Sequence, residues 1–266
     1  MRKFHFRTRR SLRDHPHKER NDFKLKCFSK KDIGLVRSEN QDRVWTSLLE
    51  DGAAAVILCD GMGGDTAGSV ASQMTIDFMS DRIQKGFRSN ISRNYIRNLL
   101  ITSVTAANSM VYDKATTEID KSGMGTTCVA AIVYNNRAYI INVGDSRAYE
   151  IYDDCMQQIT KDHTYVRRLV DRGEITEEES RVHPDRNRIT RAVGAEKNIT
   201  PDYFEIDLDE GNILLFCSDG LHSYGEDEEI AEIIVNNPIG KVTDLLVDYA
   251  LANGGRDNVS VAVVLV

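Results

Sequence analysis

An uninterrupted apolar run from Ala53 to Cys59 is followed directly by Asp60 and then by three glycines within four residues. A run of this length that ends at a glycine cluster is typical of a buried strand. The carboxylate after it lies where the sheet opens to solvent, and the glycines let the backbone approach a bound group closely. We therefore predict that the end of this strand holds a metal ion at Asp60 rather than extending the hydrophobic core.

Other segments repeat this design, in which a strand or its border leads to a carboxylate beside small residues. Together with Asp60 they supply five aspartates, the other four being Asp42, Asp145, Asp219 and Asp257. A single aspartate of this kind is usually a turn or cap residue. Five that converge would repel one another and would be costly to desolvate unless cations neutralised them. Ligands that are all oxygen select hard cations such as Mg²⁺ or Mn²⁺.

A pair of such ions can activate a water between them and stabilise an in-line displacement at phosphorus. Arg37 lies five residues before Asp42 and has a planar guanidinium that matches two phosphate oxygens. The residues by themselves therefore indicate hydrolysis of a phosphate ester. Cys59 and Cys217 also lie close to the aspartates, but burial beside carboxylates would raise the pKa of each thiol and make it a poor nucleophile.

Strand patterns dominate the chain, and many neighbouring strands are joined by tight turns that favour antiparallel pairing. Apolar residues at helical spacing predict two long helices, over 67–86 and 95–115, and two more over 227–235 and 242–252. Two sheets packed face to face with a helix pair on each outer side would bury every apolar face. The expected fold class is α+β, a four-layer α-β-β-α sandwich of two mainly antiparallel sheets flanked by helix pairs.

Charge is distributed unevenly along the 266 residues. Residues 1–26 contain ten Lys and Arg against three Asp and Glu, a charge of +7, so the net charge of −7 leaves −14 for residues 27–266. An acidic body suits a cation site and argues against nucleic-acid binding by the folded part. The basic leader is expected to be a solvated, poorly ordered tail, although contact with nucleic acid or anionic lipid stays open.

Hydropathy and cysteine usage limit where the chain is expected to act. No apolar run approaches the roughly 20 residues of a membrane helix, and the N-terminus lacks an apolar signal region. The five cysteines include no CxxC pair and are expected to be buried free thiols in a reducing compartment. We therefore expect a cytoplasmic protein with no membrane span.

Six segments occur in the order and approximate spacing of one known family. They are Arg37 to Asp42, Asp60 to Gly64, Gly125 to Thr127, Gly144 to Arg147, Ser218 to Gly220 and Gly255 to Asn258. With these segments the chain resembles the PPM family, the metal-dependent type 2C serine/threonine protein phosphatases, and most of all its compact bacterial branch. The six in order span about residues 28–266, so residues 27–266 are expected to form one phosphatase domain after the leader of residues 1–26.

The resemblance implies a binuclear Mn²⁺ or Mg²⁺ centre between the two sheets of an α-β-β-α sandwich. Carried over by position, Asp60 would bridge the two metals and the Gly61 carbonyl would ligate one of them. Asp219 and Asp257 would bind the second metal, and Asp42 would hold metal-bound water. The expected activity is hydrolysis of phosphoserine and phosphothreonine by a hydroxide that bridges the metals.

Two further residues extend the site that the resemblance implies. Arg37 would bind the substrate phosphate, and Asp145 would help Asp219 to form a third, weaker metal site. Asp145 could instead join strand ends through hydrogen bonds. Asn258 is expected to orient Asp257 rather than to touch metal.

Residues 160–194 interrupt the strands with two short predicted helices, over 164–172 and 176–181. Loops of this length inside a compact domain are usually functional. The resemblance implies that this segment is the mobile flap beside the site. His163 at its entrance is a candidate proton donor to the leaving oxygen, with metal-bound water as the alternative.

The chain departs from the family pattern at three places. Gln41 stands where the family usually has Glu, and an amide can orient water but brings no charge. Asp65 and Ser69 stand where bacterial relatives usually have His and Glu, and Met62 stands where animal relatives have a candidate acid His. The resemblance therefore leaves the proton donor unassigned. His222 follows the Ser218 to Gly220 motif by two residues and is expected to be a packing residue.

These features together predict a bacterial phosphatase that acts as a monomer on phosphorylated proteins, among them a cognate Ser/Thr kinase and the targets of that kinase. Two alternatives stay open. The departures at Gln41, Asp65 and Ser69 suit a non-catalytic phosphoprotein-binding relative. The motifs also suit another phosphohydrolase, either one that acts on small molecules or one dedicated to a single regulator protein.

Overall fold

The computed structural model describes residues 24–64, 66–152 and 155–266. The basic leader predicted over residues 1–26 therefore lies outside the described residues except for its last three, and Asp65 lies outside them as well. Leu25 is already buried, and the first strand begins at Lys26.

The described residues form twelve strands and seven α-helices. The strands are β1 (Lys26–Asp32), β2 (Arg43–Leu48), β3 (Ala54–Cys59), β4 (Gly61–Met62), β5 (Gly125–Thr126), β6 (Cys128–Val133), β7 (Arg137–Val143), β8 (Arg147–Tyr152), β9 (Cys155–Gln158), β10 (Asp202–Asp207), β11 (Ile213–Cys217) and β12 (Val259–Leu265). The helices are α1 (Ala67–Gly86), α2 (Arg93–Thr117), α3 (Tyr165–Asp171), α4 (Glu177–Val182), α5 (Asp219–His222), α6 (Asp227–Val235) and α7 (Ile239–Ala252). None of these helices is long and apolar enough to cross a membrane.

The strands form two five-stranded sheets in which every neighbouring pair is antiparallel. The first sheet has the order β1-β12-β11-β8-β9. The second has the order β10-β7-β6-β3-β2. The short strands β4 and β5 pair separately, directly beyond the end of β3. The predicted antiparallel pairing is therefore confirmed.

Three hydrophobic cores separate four layers of secondary structure. One core lies between the second sheet and the helix pair α1 and α2. Another lies between the two sheets, and the third lies between the first sheet and the pair α6 and α7. The expected α+β fold, a four-layer α-β-β-α sandwich with a helix pair on each side, is thus confirmed. The one-turn helix α5 is an addition that the apolar spacing does not predict.

Strand β3 explains the unbroken apolar run that ends at Asp60. Its odd-numbered residues, such as Ile57 and Cys59, belong to the core under α1 and α2, whereas its even-numbered residues, such as Val56 and Leu58, belong to the core between the sheets. Because both faces of the strand are buried, it lacks the alternation of a half-exposed strand.

Local capping sets where two of the helices begin. Helix α2 starts at Arg93, two residues before the predicted position, because the Ser92 hydroxyl accepts a hydrogen bond from the Tyr95 N–H at 3.2 Å. Helix α4 follows a capping box in which Thr176 and Glu179 bond reciprocally to each other's backbone N–H. Both short helices predicted in the 160–194 segment are present, as α3 and α4.

We predict that Phe216→Ala destabilises the protein by about 3–5 kcal/mol, because it leaves a cavity between the two sheets where the side chain is fully buried. Urea denaturation measured by circular dichroism tests this prediction. Leu48→Ala is the control, since Leu48 is 59% exposed on a strand and its truncation should change the free energy of unfolding by less than about 0.5 kcal/mol. Equal losses in the two variants would contradict the assignment of this core.

Candidate functional site

Asp60 follows β3 and is held by hydrogen bonds to the segment that begins β6. Its backbone N–H donates to Thr127 Oγ1 at 2.9 Å, and its carbonyl accepts from the Thr127 N–H and from Thr126 Oγ1, both at 2.8 Å. Thr127 Oγ1 also lies 2.7 Å from the hydroxyl of Ser146, the residue after Asp145. The two threonines therefore join two strand ends that carry carboxylates, a role that the motif alone does not reveal.

The five aspartates singled out from the sequence lie together at this end of the sandwich. Burial raises the pKa of Asp60 well above its ordinary value, and the charges of Asp42, Asp219, Asp145 and Asp257 raise it further. Burial, followed by the charges of Asp257 and Asp42, raises the pKa of Asp219 to about 7. Burial is also the main reason why the pKa of Asp42 rises to about 6. The ionised forms are therefore unfavourable unless positive charge is brought to the site.

Asp42 is the most enclosed of these carboxylates, with 1% of its surface exposed. The Ser218 hydroxyl donates to its Oδ2 at 2.7 Å, whereas its Oδ1 is buried and has no hydrogen-bond partner among the described residues. A buried carboxylate oxygen that lacks a donor is costly. A cation or a water held by a cation would satisfy it, so the donor set fits Mg²⁺ or Mn²⁺.

The carboxylates do not form a closed metal cage. Within residues 24–64, 66–152 and 155–266, no three Asp, Glu, His or Cys side chains close around one point. A hydrated ion needs fewer side-chain ligands, because waters and backbone carbonyls complete its coordination. The arrangement therefore suits hydrated hard cations and not a tetrahedral zinc site made of four side chains.

The backbone at Gly61 lies very close to the start of α1. A Cβ at Gly61 would lie 2.2 Å from the Gly68 carbonyl oxygen, and one at Gly68 would lie 2.4 Å from Gln41 Oε1. The Gln41 N–H donates to Asn258 Oδ1 at 2.8 Å, and the Gln41 carbonyl accepts from the Ser72 hydroxyl at 2.5 Å. The two glycines thus allow β4, α1 and the segment before Asp42 to meet at the site.

Arg37 and Asp257 contact each other at the opening of the site. Arg37 Nη2 donates to Asp257 Oδ2 at 2.7 Å, and 55% of the Arg37 side chain is exposed. The Asn258 N–H donates to Asp257 Oδ1 at 2.8 Å, and its side-chain amide donates to the carbonyls of Ile33 and Glu39 at 2.9 Å each. Asn258 therefore orients Asp257 and also ties it to the segment that carries Arg37, a second role that sequence reasoning missed.

Asp145 lies where the site meets the flap, the segment of residues 160–194. Burial raises the pKa of Asp145, and the charge of Asp219 is the next cause. His222 Nε2 lies 3.0 Å from the Asp145 carbonyl, and burial lowers the pKa of His222 to about 3, so His222 is a neutral packing residue. Two residues further along the strand, Arg147 Nη2 donates to Asp162 Oδ2 at 2.7 Å and anchors the flap entrance. Neither the motif nor its spacing predicts this anchor.

His163, the candidate proton donor, is buried and engaged at both ring nitrogens. Its Nδ1 accepts from the Gly144 N–H at 3.0 Å, while its Nε2 lies 3.2 Å from Asp202 Oδ2 and 2.9 Å from Arg191 Nη1. Burial and the charge of Arg191 lower the pKa of the ring. These contacts hold the base of the flap against the end of β7.

The cysteines next to the site are enclosed thiols. Cys59, Cys128 and Cys217 are buried, whereas Cys27 and Cys155 are half-buried. The expectation that all five are buried is therefore wrong for the two in strands at the edges of the first sheet. Burial raises the pKa of Cys59 and of Cys217, which makes both poor nucleophiles, as predicted.

Comparison with known proteins gives a consistent result. The family described as Protein phosphatase 2C matches residues 46–259. The chain is 36% identical over 234 residues to the serine/threonine phosphatase stp of Listeria innocua, an alignment that covers 88% of this chain and 92% of the relative. It is 37% identical over 241 residues to the serine/threonine protein phosphatase PstP of Mycobacterium tuberculosis, covering 90% of this chain and 44% of that longer relative.

Solved structures show the same architecture. The serine/threonine phosphatase of S. agalactiae superposes with a TM-score of 0.85 at 32% identity, covering 91% of this chain and 99% of the other. The catalytic domain of PstP in complex with two manganese ions superposes with a TM-score of 0.80 at 35% identity, covering 91% of this chain and 97% of the other.

The raised pKa values predict a pH dependence of stability in the presence of EDTA. The folded-state pKa values of Asp42 and Asp219, about 6 and about 7, exceed their ordinary value of 3.8. Between these values the folded state holds protons that the unfolded chain has released, so the free energy of unfolding falls as the pH rises from about 4 to about 7. The melting temperature in EDTA should therefore be lower at about pH 7.5 than at about pH 5.

Asp219→Asn should reduce this slope, because it removes one of the carboxylates whose pKa is raised. Mn²⁺ should raise the melting temperature of the unaltered protein most at the higher pH. Thermal unfolding followed by circular dichroism measures both effects. Equal slopes in the two proteins would show that other groups cause the pH dependence.

We also predict that Gly68→Ala weakens Mn²⁺ binding roughly ten-fold, because the added methyl group must displace Gln41 and the Gly61 backbone. Gly64→Ala is the matched control, since a Cβ there meets no heavy atom within 4 Å. Isothermal titration with Mn²⁺ gives the affinities, and circular dichroism confirms that both variants fold. Unchanged affinity in Gly68→Ala would show that the close approach does not support the metal site.

Proposed function

The chain belongs to the protein phosphatase 2C family of metal-dependent serine/threonine phosphatases, and on this premise we propose that it hydrolyses phosphoserine and phosphothreonine in proteins at the carboxylate centre around Asp60. The observation that carries the proposal is the buried Oδ1 of Asp42, which has no partner among the described residues. It belongs to the group of carboxylates whose charges, together with burial, raise the pKa of Asp60. Such a group is stable in ionised form only with cations.

The family uses Mn²⁺ or Mg²⁺, and a related structure holds two manganese ions. We propose that Asp60 and the Gly61 carbonyl, together with Asp219 and Asp257, hold two ions in this chain. Asp42 would orient water at one of them. When bound, the ions would supply a nucleophile from water and offset the charge that develops on the phosphoryl group.

A third, weaker ion is a further part of the proposal. Asp145 and Asp219 would hold it. After burial, the charge of Asp219 is the next cause of the raised pKa of Asp145, which supports the proximity of the two carboxylates. The site would then extend from the sheet ends towards the flap, where Arg147 and Asp162 fix the flap entrance.

Arg37 is proposed to bind the substrate phosphate. Its guanidinium has five N–H donors, and one nitrogen contacts Asp257 Oδ2. This contact would hold the planar group in place while its remaining donors bind phosphate oxygens in a two-point manner. The exposure of the side chain leaves it accessible to a phosphorylated protein segment.

The leaving serine or threonine oxygen must gain a proton. His163 is not proposed for this step, because both of its ring nitrogens already have partners. We propose that solvent water within the site protonates the leaving oxygen, whereas the alternative donor raised from the sequence is metal-bound water.

The substrates would be phosphorylated proteins, including a cognate Ser/Thr kinase and the targets of that kinase. The relatives that are named serine/threonine phosphatases are bacterial, which supports a bacterial signalling role. That the chain acts in the cytoplasm and as a monomer is part of the proposal. A phosphatase dedicated to one regulator protein is a narrower form of the same proposal. The non-catalytic alternative has less support, since Asp42, Asp60, Asp219 and Arg37 all lie at one site.

Replacement of a proposed bridging or terminal ligand tests the function. Asp60→Asn and Asp219→Asn should each lower Mn²⁺-dependent release of phosphate from a phosphothreonine peptide by at least about a hundred-fold, because each removes charge that holds the ions. Asp113→Asn, on the exposed face of α2, is the control and should retain activity.

Thermal unfolding checks that the inactive variants are folded, and EDTA should stop hydrolysis by the unaltered protein. Full activity of Asp60→Asn, or hydrolysis that persists in EDTA, would rule out the proposed mechanism. A parallel assay with a phosphotyrosine peptide and a small phosphate ester separates a protein Ser/Thr phosphatase from a less selective phosphohydrolase.

A further inference from the structure

A cleft of about 700 Å³ opens beside the carboxylate centre, between the flap helices α3 and α4 and residues 222–227. We call it the flap cleft. Asp145 lines one end of it, so it is continuous with the proposed catalytic site, and Tyr224 lines its wall. The inference drawn below rests on the proposed function, because it concerns how the substrate of that site is chosen.

Most of the cations that line the flap cleft are neutralised by carboxylates of the same region. The pairs are Arg147 with Asp162, Lys161 with Asp171, Arg167 with Asp171 and Glu177, and Arg181 with Glu226. Arg186 differs from them. It is exposed, it lines the cleft, and it forms no ion pair with any residue that the structure describes.

A second arginine lies on the same side of the site. The guanidinium carbon of Arg256 lies 6.0 Å from the centre of the Tyr224 ring, a cation–π contact. Arg256 is exposed and, like Arg186, has no ion pair within the described part of the chain. In the sequence, Arg256 directly precedes Asp257, which contacts Arg37.

Tyr224 lies near both arginines and near the carboxylate centre. Burial raises the pKa of Tyr224, the charges of Asp219 and Asp257 raise it further, and the charges of Arg186 and Arg256 lower it. The hydroxyl therefore lies within the field of both groups. Two positive charges that have no ion-pair partner among the described residues thus lie near Tyr224, which lines the flap cleft.

We propose that Arg186, Arg256 and the Tyr224 hydroxyl form a second anion subsite, which binds an acidic or phosphorylated side chain close in sequence to the phosphoresidue that is hydrolysed. The Asp219 and Asp257 carboxylates do not neutralise these arginines, since both are committed to the proposed metal centre. Guanidinium groups bind carboxylates and phosphates through two parallel hydrogen bonds, and the tyrosine hydroxyl adds a donor.

The placement of the subsite fits an extended substrate segment. Arg37 contacts Asp257, and Arg256 is the residue before Asp257 and contacts the Tyr224 ring, so the side chains next to a phosphate held by Arg37 would lie within reach of Arg256 and the cleft. Successive residues of an extended segment advance by about 3.3 Å, so a residue within a few positions of the phosphothreonine can reach the subsite. A lysine or arginine there would be repelled.

Phosphothreonine peptides that differ at one neighbouring position test the proposal. The position is scanned on each side of the phosphothreonine and carries alanine, glutamate, lysine or a non-hydrolysable phosphonate analogue of phosphoserine. For the unaltered protein, glutamate and the phosphonate should raise kcat/KM roughly ten-fold over alanine at the best position, mainly through KM, and lysine should lower it.

In the double variant Arg186→Gln with Arg256→Gln, kcat/KM should be about the same for the glutamate peptide and for the alanine peptide. The ratio of the two values should therefore be close to one. Arg172→Gln is the matched control. Arg172 also lies on the flap, with 67% of its side chain exposed, but does not line the cleft. It should keep the ratio of the unaltered protein. A ratio is used because it is insensitive to a general loss of activity.

The outcomes separate the two proposals. A selectivity for anionic neighbours that disappears in the double variant supports the subsite, and a larger gain for the phosphonate than for glutamate assigns it to phosphorylated neighbours. Equal kcat/KM for all peptides, or a selectivity that the double variant retains, overturns the subsite while leaving the phosphatase intact. Absence of hydrolysis of every peptide would instead overturn the proposed function.

Discussion

Mutual repulsion among buried carboxylates is the constraint on which the rest of this structure depends. Burial is the main cause of the raised pKa values of Asp42, Asp60 and Asp219. In addition, the charge of Asp42 raises the pKa of both Asp60 and Asp219, and the charge of Asp219 raises that of Asp60. Such an arrangement costs free energy in a folded protein unless cations offset it. The sandwich provides a scaffold with three separate cores, so the stability gained there can hold the charged side chains at one end in positions that they would not adopt alone.

Hydrogen bonds between distant segments hold the backbone of the site. Thr127 joins the end of β3 to Ser146 in the turn before β8. Ser218 joins the end of β11 to Asp42, and Asn258 joins the start of β12 to the segment after β1. Each of these residues contacts a carboxylate or its neighbour without being an expected ligand. Their replacement would therefore alter the geometry of the charges and not their number.

The arginines near the site differ in whether a carboxylate pairs with them. Arg147 is committed to Asp162 and fixes the flap, whereas Arg186 and Arg256 have no such partner among the described residues. The chain outside its leader carries a charge of −14, from the total of −7 and the leader's +7. A phosphorylated protein is therefore repelled by most of this surface, and local arginines together with bound cations direct it to the site.

Much of the fold and the composition of the site could be read from the sequence. The apolar run before Asp60, the two helix pairs and the ordered aspartate motifs are local patterns. A strand or helix that is buried on one or both faces has a matching pattern of apolar residues in its own sequence. The side-chain contacts of His163, the second role of Asn258 and the lack of an ion-pair partner for Arg186 among the described residues are different. They depend on segments far apart in the chain meeting in space, and no local pattern encodes that meeting, so only the tertiary structure decided them.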